Sequence, residues 1–146
     1  MGNSQTESAE VQLCLSFLVR QAWLSMRSAV DATLAEYGLS VSQYAALLVL
    51  EDQPGISLSD VARVVASTRQ AATEMIAGLE REGLVERRKQ NGRTHQVFLT
   101  DAGRRRLALA RPKVRAREQL LEASLTEEQR SAARSWLAHM VAASEA

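Results

Sequence analysis

The chain has 146 residues, of which 46% are hydrophobic and 24% charged, which is typical of one globular domain and excludes a disordered chain. Its single cysteine excludes a disulfide framework within the chain. The net charge of +1 is unevenly spread, since residues 1–59 carry −4 and residues 60–106 carry +4. A cationic middle indicates a polyanionic partner, although a solvated surface is the simpler explanation of a charge run alone.

The first half of the chain predicts four helices. Apolar residues recur at steps of three and four from Val11 to Ala29, which predicts a long amphipathic helix over about residues 8–36. Three further helices are predicted over residues 41–52, 58–65 and 68–82. Capping boxes, in which a Ser or Thr and a residue three positions later cap each other, mark three helix starts: Ser40 with Gln43, Ser67 with Gln70, and Thr126 with Gln129.

A β-hairpin is predicted next, over strands at about 84–90 and 93–99. Asn91-Gly92 lies between the strands, and both residues tolerate the positive φ of a tight type I′ turn. A helix from residue 101 to about 123 follows, and we expect it to kink or restart at Pro112, because proline has no N–H to continue the helix. The final helix is predicted over residues 127–143.

The terminal helices predict a homodimer. The first helix would be about 40 Å long at 1.5 Å per residue, which is longer than a small helical core can cover. Its apolar residues, Trp23 and Leu24 among them, lie around most of its circumference, and the last helix has the same character at Trp136 and Leu137. A second copy of the chain would bury these surfaces, so we expect an obligate homodimer.

A short helix, a tight turn, a second helix and a basic hairpin form the order of a winged helix-turn-helix, whose second helix presents its N-terminal residues to the major groove of DNA. Arg and Gln can bond base edges there, and cations of the hairpin suit phosphates and the narrow minor groove. For His95, phosphate contact and an ordinary exposed histidine are about equal alternatives. The predicted DNA contacts are Ser67, Thr68, Arg69, Gln70 and Thr73 in the recognition helix, and Arg87, Arg88, Lys89, Arg93, Thr94 and His95 in the wing.

Three motifs in this order carry a family resemblance: "SLSDVA" opens the third helix, "LEREGLVER" joins the recognition helix to the wing, and "FLTDAG" closes the wing. With flanking helices of this length, the chain resembles the MarR family of bacterial regulators over nearly its whole length. The resemblance implies a mainly α fold with a small β-hairpin wing. It divides the chain into an N-terminal dimerisation helix (1–39), a winged helix-turn-helix domain (40–103) and C-terminal dimerisation helices (104–146).

The resemblance also implies a function, that of a homodimer that binds pseudo-palindromic operators, usually as a repressor. Small, often aromatic or phenolic anions would release it from double-stranded DNA by binding between the dimerisation helices and the DNA-binding lobe. Family wings usually carry Asp-x-Arg at the tip, and here those positions read Asn91-Gly92-Arg93. Arg93 matches the minor-groove arginine, whereas the absence of the Asp leaves the bracing of the wing open.

Ligand contacts are expected where the first two helices meet the winged lobe. The candidates are Trp23, Met26, Arg27 and Tyr44, which combine apolar and aromatic walls with one cation. A place in the dimer core is the alternative for Trp23 and Met26, and a surface salt bridge is the alternative for Arg27. Cys14 resembles the sensing cysteine of the peroxide-responsive OhrR branch of the family, but Leu18 and Ser28 stand where that branch has tyrosines. A small buried hydrophobe is the other interpretation of Cys14.

Other function classes have less support. A winged helix can also be a protein-protein interaction module, although such modules usually lack a basic wing. The sequence has no nucleophile-base pair, phosphate loop, carboxylate cluster or metal-ligand spacing, so we expect neither an enzyme nor a bound metal or cofactor. The opening residues lack the features of a secretory signal, and the apolar runs are too short to cross a membrane, so we expect a cytoplasmic protein.

Overall fold

The computed structural model describes residues 14–65, 68–92 and 94–144. Three sequence-based predictions fall partly outside these ranges: the first turns of the long N-terminal helix, and the DNA contacts assigned to Ser67 and Arg93.

The described residues form six helices and one two-stranded sheet, which confirms the predicted mainly α class with a β-hairpin wing. The helices are α1 (Leu15–Ala35), α2 (Val41–Asp52), α3 (Leu58–Val65), α4 (Arg69–Arg81), α5 (Asp101–Leu121) and α6 (Glu127–Ser144), and the strands are β1 (Val85–Lys89) and β2 (His95–Leu99).

Two of the three predicted capping boxes are present. The Ser40 hydroxyl accepts from the Gln43 N–H at 3.1 Å, and the Gln43 side chain accepts from the Ser40 N–H at 2.9 Å. Thr126 and Gln129 make the same pair of bonds at the start of α6. The box at Ser67 is wrong, because the N-cap of α4 is Thr68, whose hydroxyl accepts from the Ala71 N–H at 3.1 Å.

One hydrophobic core joins all the elements except α6. The C-terminal half of α1 and the first half of α5 pack together and against α2, and the winged unit of α3, α4 and the hairpin completes the same core. Its fully buried large side chains are Leu34, Leu47, Leu50, Val61, Ile76, Leu79, Leu84, Val85, Val97 and Leu107. The predicted recognition helix, α4, and the hairpin wing therefore pack on the same hydrophobic core.

The hairpin turn differs from the predicted type I′ turn. Lys89 pairs with His95 and the Gln90 N–H donates to the Thr94 carbonyl at 2.9 Å, so three residues rather than two lie between the last bonded pair of the hairpin. Gly92 has a φ of +69°, whereas Asn91 does not have the positive φ that a type I′ turn requires. The turn signal thus located the hairpin correctly but gave the wrong register, which decides the side of the ribbon on which each side chain lies.

Helix α5 runs without interruption from Asp101 to Leu121, so it does not restart at Pro112 as the sequence allowed. Leu107 and Ala110 before the proline and Val114 after it are all buried in the core. Packing on both sides of Pro112 outweighs the single backbone hydrogen bond that proline cannot make.

The outer helices leave apolar surface uncovered in the single chain. No residue of α6 is buried, and Trp136 is 39% and Val141 63% exposed. In α1 the first buried residue is Val30, and the preceding turns expose Trp23 at 49% and Leu24 at 41%. Each of these helices exposes several large apolar side chains, whereas a monomer usually exposes such side chains singly.

Candidate nucleic-acid interface and ligand cleft

The N-terminal end of α4 presents polar side chains to solvent. Thr68, Arg69, Gln70 and Thr73 are all exposed, as predicted, while the opposite face of the helix is buried. The buried residues Ala72, Ile76 and Leu79 follow the spacing that seats one helix face on a core. One face of α4 thus packs on the core, and the side chains that could contact bases lie on the opposite, exposed face.

Two of these side chains bond within the helix. The Thr73 hydroxyl donates to the Arg69 carbonyl at 2.9 Å. The Gln70 amide donates to Glu74 at 3.3 Å, a long bond that a stronger partner could replace.

The predicted wing cations are not equivalent. Lys89 and Thr94 are exposed near the end of the ribbon. Arg88 lies over the ring of Phe98, with 4.3 Å from its guanidinium carbon to the ring centroid, and it also pairs with Glu86. Its guanidinium is therefore oriented by the wing while remaining largely accessible, and its side chain is 62% exposed.

Arg87 contacts the recognition helix instead of projecting into solvent. Its guanidinium forms a bidentate pair with the Glu80 carboxylate, the shortest distance being 2.9 Å from Nη2 to Oε1. Its backbone N–H donates to the same carboxylate at 3.2 Å. These bonds hold the pKa of the Glu80 carboxyl below its usual value and raise the pKa of Arg87. In the sequence, Glu80 appears only in the "LEREGLVER" motif, which does not predict its pair with Arg87.

His95 lies opposite Lys89 in the ribbon and is half-buried. Its Nδ1 atom is buried and has no hydrogen-bond partner among the residues that the structure describes. The alternative of an ordinary exposed histidine does not fit this position.

A cleft of about 550 Å³ lies between α1, the start of α2 and the recognition helix. Trp23 and Arg27 line it, as predicted, and Arg27 also pairs with Asp31 at 3.5 Å. The volume falls in the usual range for small-molecule sites. The sequence did not identify the remaining wall, which consists of Ser40, Ser42, Gln43, Val65, Ala71 and Met75.

The other two ligand candidates lie elsewhere. Met26 is 41% exposed on α1 and does not line the cleft. Tyr44 is half-buried in α2 and lies near Arg111 of α5, which pairs with Glu51. Burial raises the pKa of the Tyr44 hydroxyl above its ordinary value.

Cys14 is the exposed N-cap residue of α1 in the single chain. Its pKa is lowered, first by a hydrogen bond with the Ser16 hydroxyl and then by the backbone N–H of Phe17. Among the described residues no cationic side chain contributes to this shift. The position therefore lacks the charge partner that usually creates a reactive thiolate.

Two features are absent from residues 14–65, 68–92 and 94–144. None of the helices there is long and apolar enough to span a membrane. No group of three or more His, Cys, Asp and Glu side chains in those ranges could hold a metal ion.

Known proteins are similar to this chain in both sequence and architecture. A family model described as the MarR family matches residues 37–93. The HTH-type transcriptional repressor Mb2911 of Mycobacterium bovis is 32% identical over 117 residues, which cover 79% of this chain and 84% of the relative.

Solved structures agree over most of the chain. The transcriptional repressor CouR bound to a 23-mer DNA duplex superimposes with a TM-score of 0.84 at 30% identity, covering 90% of this chain and 95% of that one. CouR bound to p-coumaroyl-CoA gives a TM-score of 0.81 at 28% identity, covering 90% of this chain and 94% of that one. The winged-helix fold predicted from the sequence is thereby confirmed.

Proposed function

We propose, since the chain belongs to the MarR family of winged-helix transcriptional regulators, that it is a repressor that binds pseudo-palindromic DNA as a homodimer and is released by a small aromatic anion. The observation that carries this proposal is the exposed polar end of α4 beside a basic ribbon, both fixed to one core. A helix and a wing arranged in this way can occupy adjacent grooves of one duplex.

We assign each of the polar residues of the recognition helix and the wing a role in the proposal. Arg69 and Gln70 bond base edges in the major groove, and the Thr73 methyl group meets a thymine methyl. Lys89 and Arg88 contact phosphates, with the two wing residues Arg93 and Thr94 nearer the minor groove. The structure of CouR bound to a DNA duplex, which shares this fold, supports a DNA-binding role.

The homodimer is supported by the uncovered apolar faces of α1 and α6. Apart from Trp23, which lines the cleft, their large exposed side chains are Leu15, Phe17, Leu18, Leu24 and Met26 in α1, and Trp136, Leu137 and Val141 in α6. Burial of these faces against a second copy removes them from water and places two recognition helices about a two-fold axis. The proposed division of the chain at residues 39 and 103 assigns these faces to dimerisation and residues 40–103 to DNA.

The cleft beside the recognition helix is the proposed effector site. Trp23, Val65 and Met75 offer an apolar surface to an aromatic ring, and Arg27 offers a cation to a carboxylate. Because Ala71 and Met75 belong to α4 itself, a ligand here would act directly on the position of the recognition helix. The CouR structure with p-coumaroyl-CoA supports an aromatic ligand class.

Fluorescence anisotropy with the upstream intergenic DNA, a scrambled duplex and a salt series tests the DNA-binding proposal. We expect tight, selective binding that weakens steeply with salt. Arg69→Ala should cost about 1–3 kcal/mol and relax base preference at one operator position. The matched control is Arg130→Ala, which removes the same charge from α6, where Arg130 pairs with Glu127 at 2.9 Å. Equal effects of the two substitutions would contradict the assigned recognition helix.

Salicylate, used as a simple aromatic carboxylate, tests the cleft in the same assay. We expect it to release the wild-type protein from DNA. It should act much more weakly on Arg27→Gln, which lacks the cation that would bind the salicylate carboxylate. Arg20→Gln is the control, since Arg20 lies exposed on the same helix but does not line the cleft. Salicylate release that is unchanged in Arg27→Gln would remove Arg27 from the proposed site.

A further inference from the structure

Both edges of the wing are tied to the winged lobe near the base of the ribbon. On the β2 side, the Val97 N–H donates to the Ile56 carbonyl at 3.0 Å and the Gly55 N–H donates to the Val97 carbonyl at 3.1 Å. On the β1 side, no backbone carbonyl of the described residues accepts the Arg87 N–H, which donates to the Glu80 carboxylate at 3.2 Å instead. Glu80 of the recognition helix thus occupies the place of a third strand at this edge.

The ribbon needs these attachments. Each strand has only five residues, and an isolated two-stranded hairpin of this size is marginally stable in water. Its direction relative to the recognition helix is therefore set by the contacts at its base. The β1 contact is made to the same helix that would enter the major groove.

The geometry of the Glu80–Arg87 pair is that of a strong contact. Both carboxylate oxygens receive hydrogen bonds, since Arg87 Nε lies 3.3 Å from Oε1 and 3.2 Å from Oε2, and Nη2 lies 2.9 Å from Oε1. The side chains of Arg87 and Glu80 are 28% and 37% exposed, so the pair is partly shielded from water. Bidentate, charge-assisted bonds of this kind fix orientation as well as distance.

We propose that Glu80 is a positioning residue for DNA binding, which locks the wing to the recognition helix through Arg87 so that both meet the duplex as one rigid unit. The proposal rests on the DNA-binding function proposed above. It assigns Arg87 a place inside the protein, in contrast to the phosphate contact that its sequence position suggested. A ribbon held in its bound orientation loses less conformational freedom when DNA binds.

The two roles of Arg87 make opposite predictions for Glu80→Gln, which is nearly isosteric. If Arg87 contacts phosphate, removal of the glutamate charge frees a cation and tightens binding. If Arg87 locks the wing, the same substitution weakens binding in spite of the added positive charge. We expect a loss of about five- to tenfold in affinity for the upstream DNA, within the usual range for coupled pairs.

Salt dependence provides a second criterion, because it counts phosphate contacts and is insensitive to a structural lock. We expect Arg87→Gln to weaken binding as much as Glu80→Gln does, with the slope of log affinity against log salt unchanged. The double Gln variant should be no weaker than either single variant. The exchanged pair, Glu80→Arg with Arg87→Glu, should recover part of the affinity through the reversed side-chain pair, although it leaves no cation at position 87 and no acceptor for the backbone N–H there.

Glu82→Gln is the matched control, since it makes the same charge change two residues away, where the nearest cation, Arg106, lies at 3.9 Å. We expect its affinity to equal or slightly exceed that of the wild type. Tighter or unchanged binding by Glu80→Gln, or a slope reduced by about one per wing in Arg87→Gln, would overturn the lock in favour of a phosphate contact.

Amide hydrogen exchange of the free protein separates this proposal from the proposed function. We expect the segment containing β1 to exchange faster in Glu80→Gln than in the wild type and in Glu82→Gln, because the glutamine offers Arg87 one neutral acceptor oxygen in place of two charged ones. Unchanged exchange would overturn the lock even if DNA binding is established. A wild-type protein that binds no DNA selectively would refute the proposed function and the DNA role of Glu80, while faster exchange in the variant would still demonstrate the lock.

Discussion

Gly103, in the first turn of α5, is where the wing base and the helix after it come closest together. A Cβ atom at this position would lie 2.1 Å from the Leu84 carbonyl oxygen and 2.7 Å from Leu99 Cδ1. The carbonyl cannot move freely, because it accepts the Thr100 N–H at 3.1 Å at the base of the hairpin. Gly103→Ala would therefore push backbone against backbone by more than roughly 1 Å before normal contact is restored.

The expected cost follows from three contributions. Overpacking of this kind costs about 1–3 kcal/mol. Weakening of the Thr100–Leu84 hydrogen bond adds about 1 kcal/mol. Alanine is better than glycine in a helix by up to about 1 kcal/mol, which offsets part of this loss. We expect Gly103→Ala to destabilise the protein by about 1–3 kcal/mol, or about 3–10 °C in Tm for a chain of this size.

Thermal unfolding followed by circular dichroism measures this effect, with all variants at one protein concentration because the Tm of a dimer depends on concentration. Gly78→Ala in α4 is the matched control, since its added Cβ would meet only the end of the Arg81 side chain at 3.7 Å. We expect that variant to be as stable as the wild type or slightly more stable. If Gly103→Ala were as stable as Gly78→Ala, α5 could not lie as close to the Leu84 carbonyl as the structure places it.

Three further predictions concern other described residues. Lys89→Gln should weaken binding to all DNA sequences alike and lower the salt slope by about one per wing, which the same anisotropy series measures; an unchanged slope would contradict its phosphate contact. An organic hydroperoxide should leave DNA affinity unchanged, because no described cation stabilises the Cys14 thiolate, and release that disappears in Cys14→Ser would refute this expectation. The pKa of Glu80 is lowered in the folded protein, so its pair with Arg87 contributes full stability above the ordinary carboxyl pKa and loses it as the pH falls through the folded value. Acid titration of the Tm should therefore show a smaller loss below about pH 4.5 in Glu80→Gln than in the wild type, and parallel curves would argue against the pair.

The sequence by itself determined the order and approximate bounds of the helices and the hairpin. Helix starts such as Ser40 and Thr126, and the hairpin turn at Gly92 with its φ of +69°, depend on bonds and backbone conformations within a few residues. Such local signals can be read without the rest of the protein. The exposed end of α4 was predictable for the same reason, because one apolar face of a helix implies the opposite polar face.

Only the tertiary structure decided what the candidate site residues contact. Glu80 and Arg87 are both surface-type residues by sequence, and their pairing arises because the ribbon folds back along the recognition helix. The cleft collects side chains from four helices, so Ser42 and Met75 enter it while Met26 does not. The three-residue turn and the unbroken helix at Pro112 have the same origin, since packing of Val97, Ala110 and Val114 in the shared core overrides the local preference. Local chemistry places the elements, whereas burial of distant residues against one another chooses the partners of each side chain.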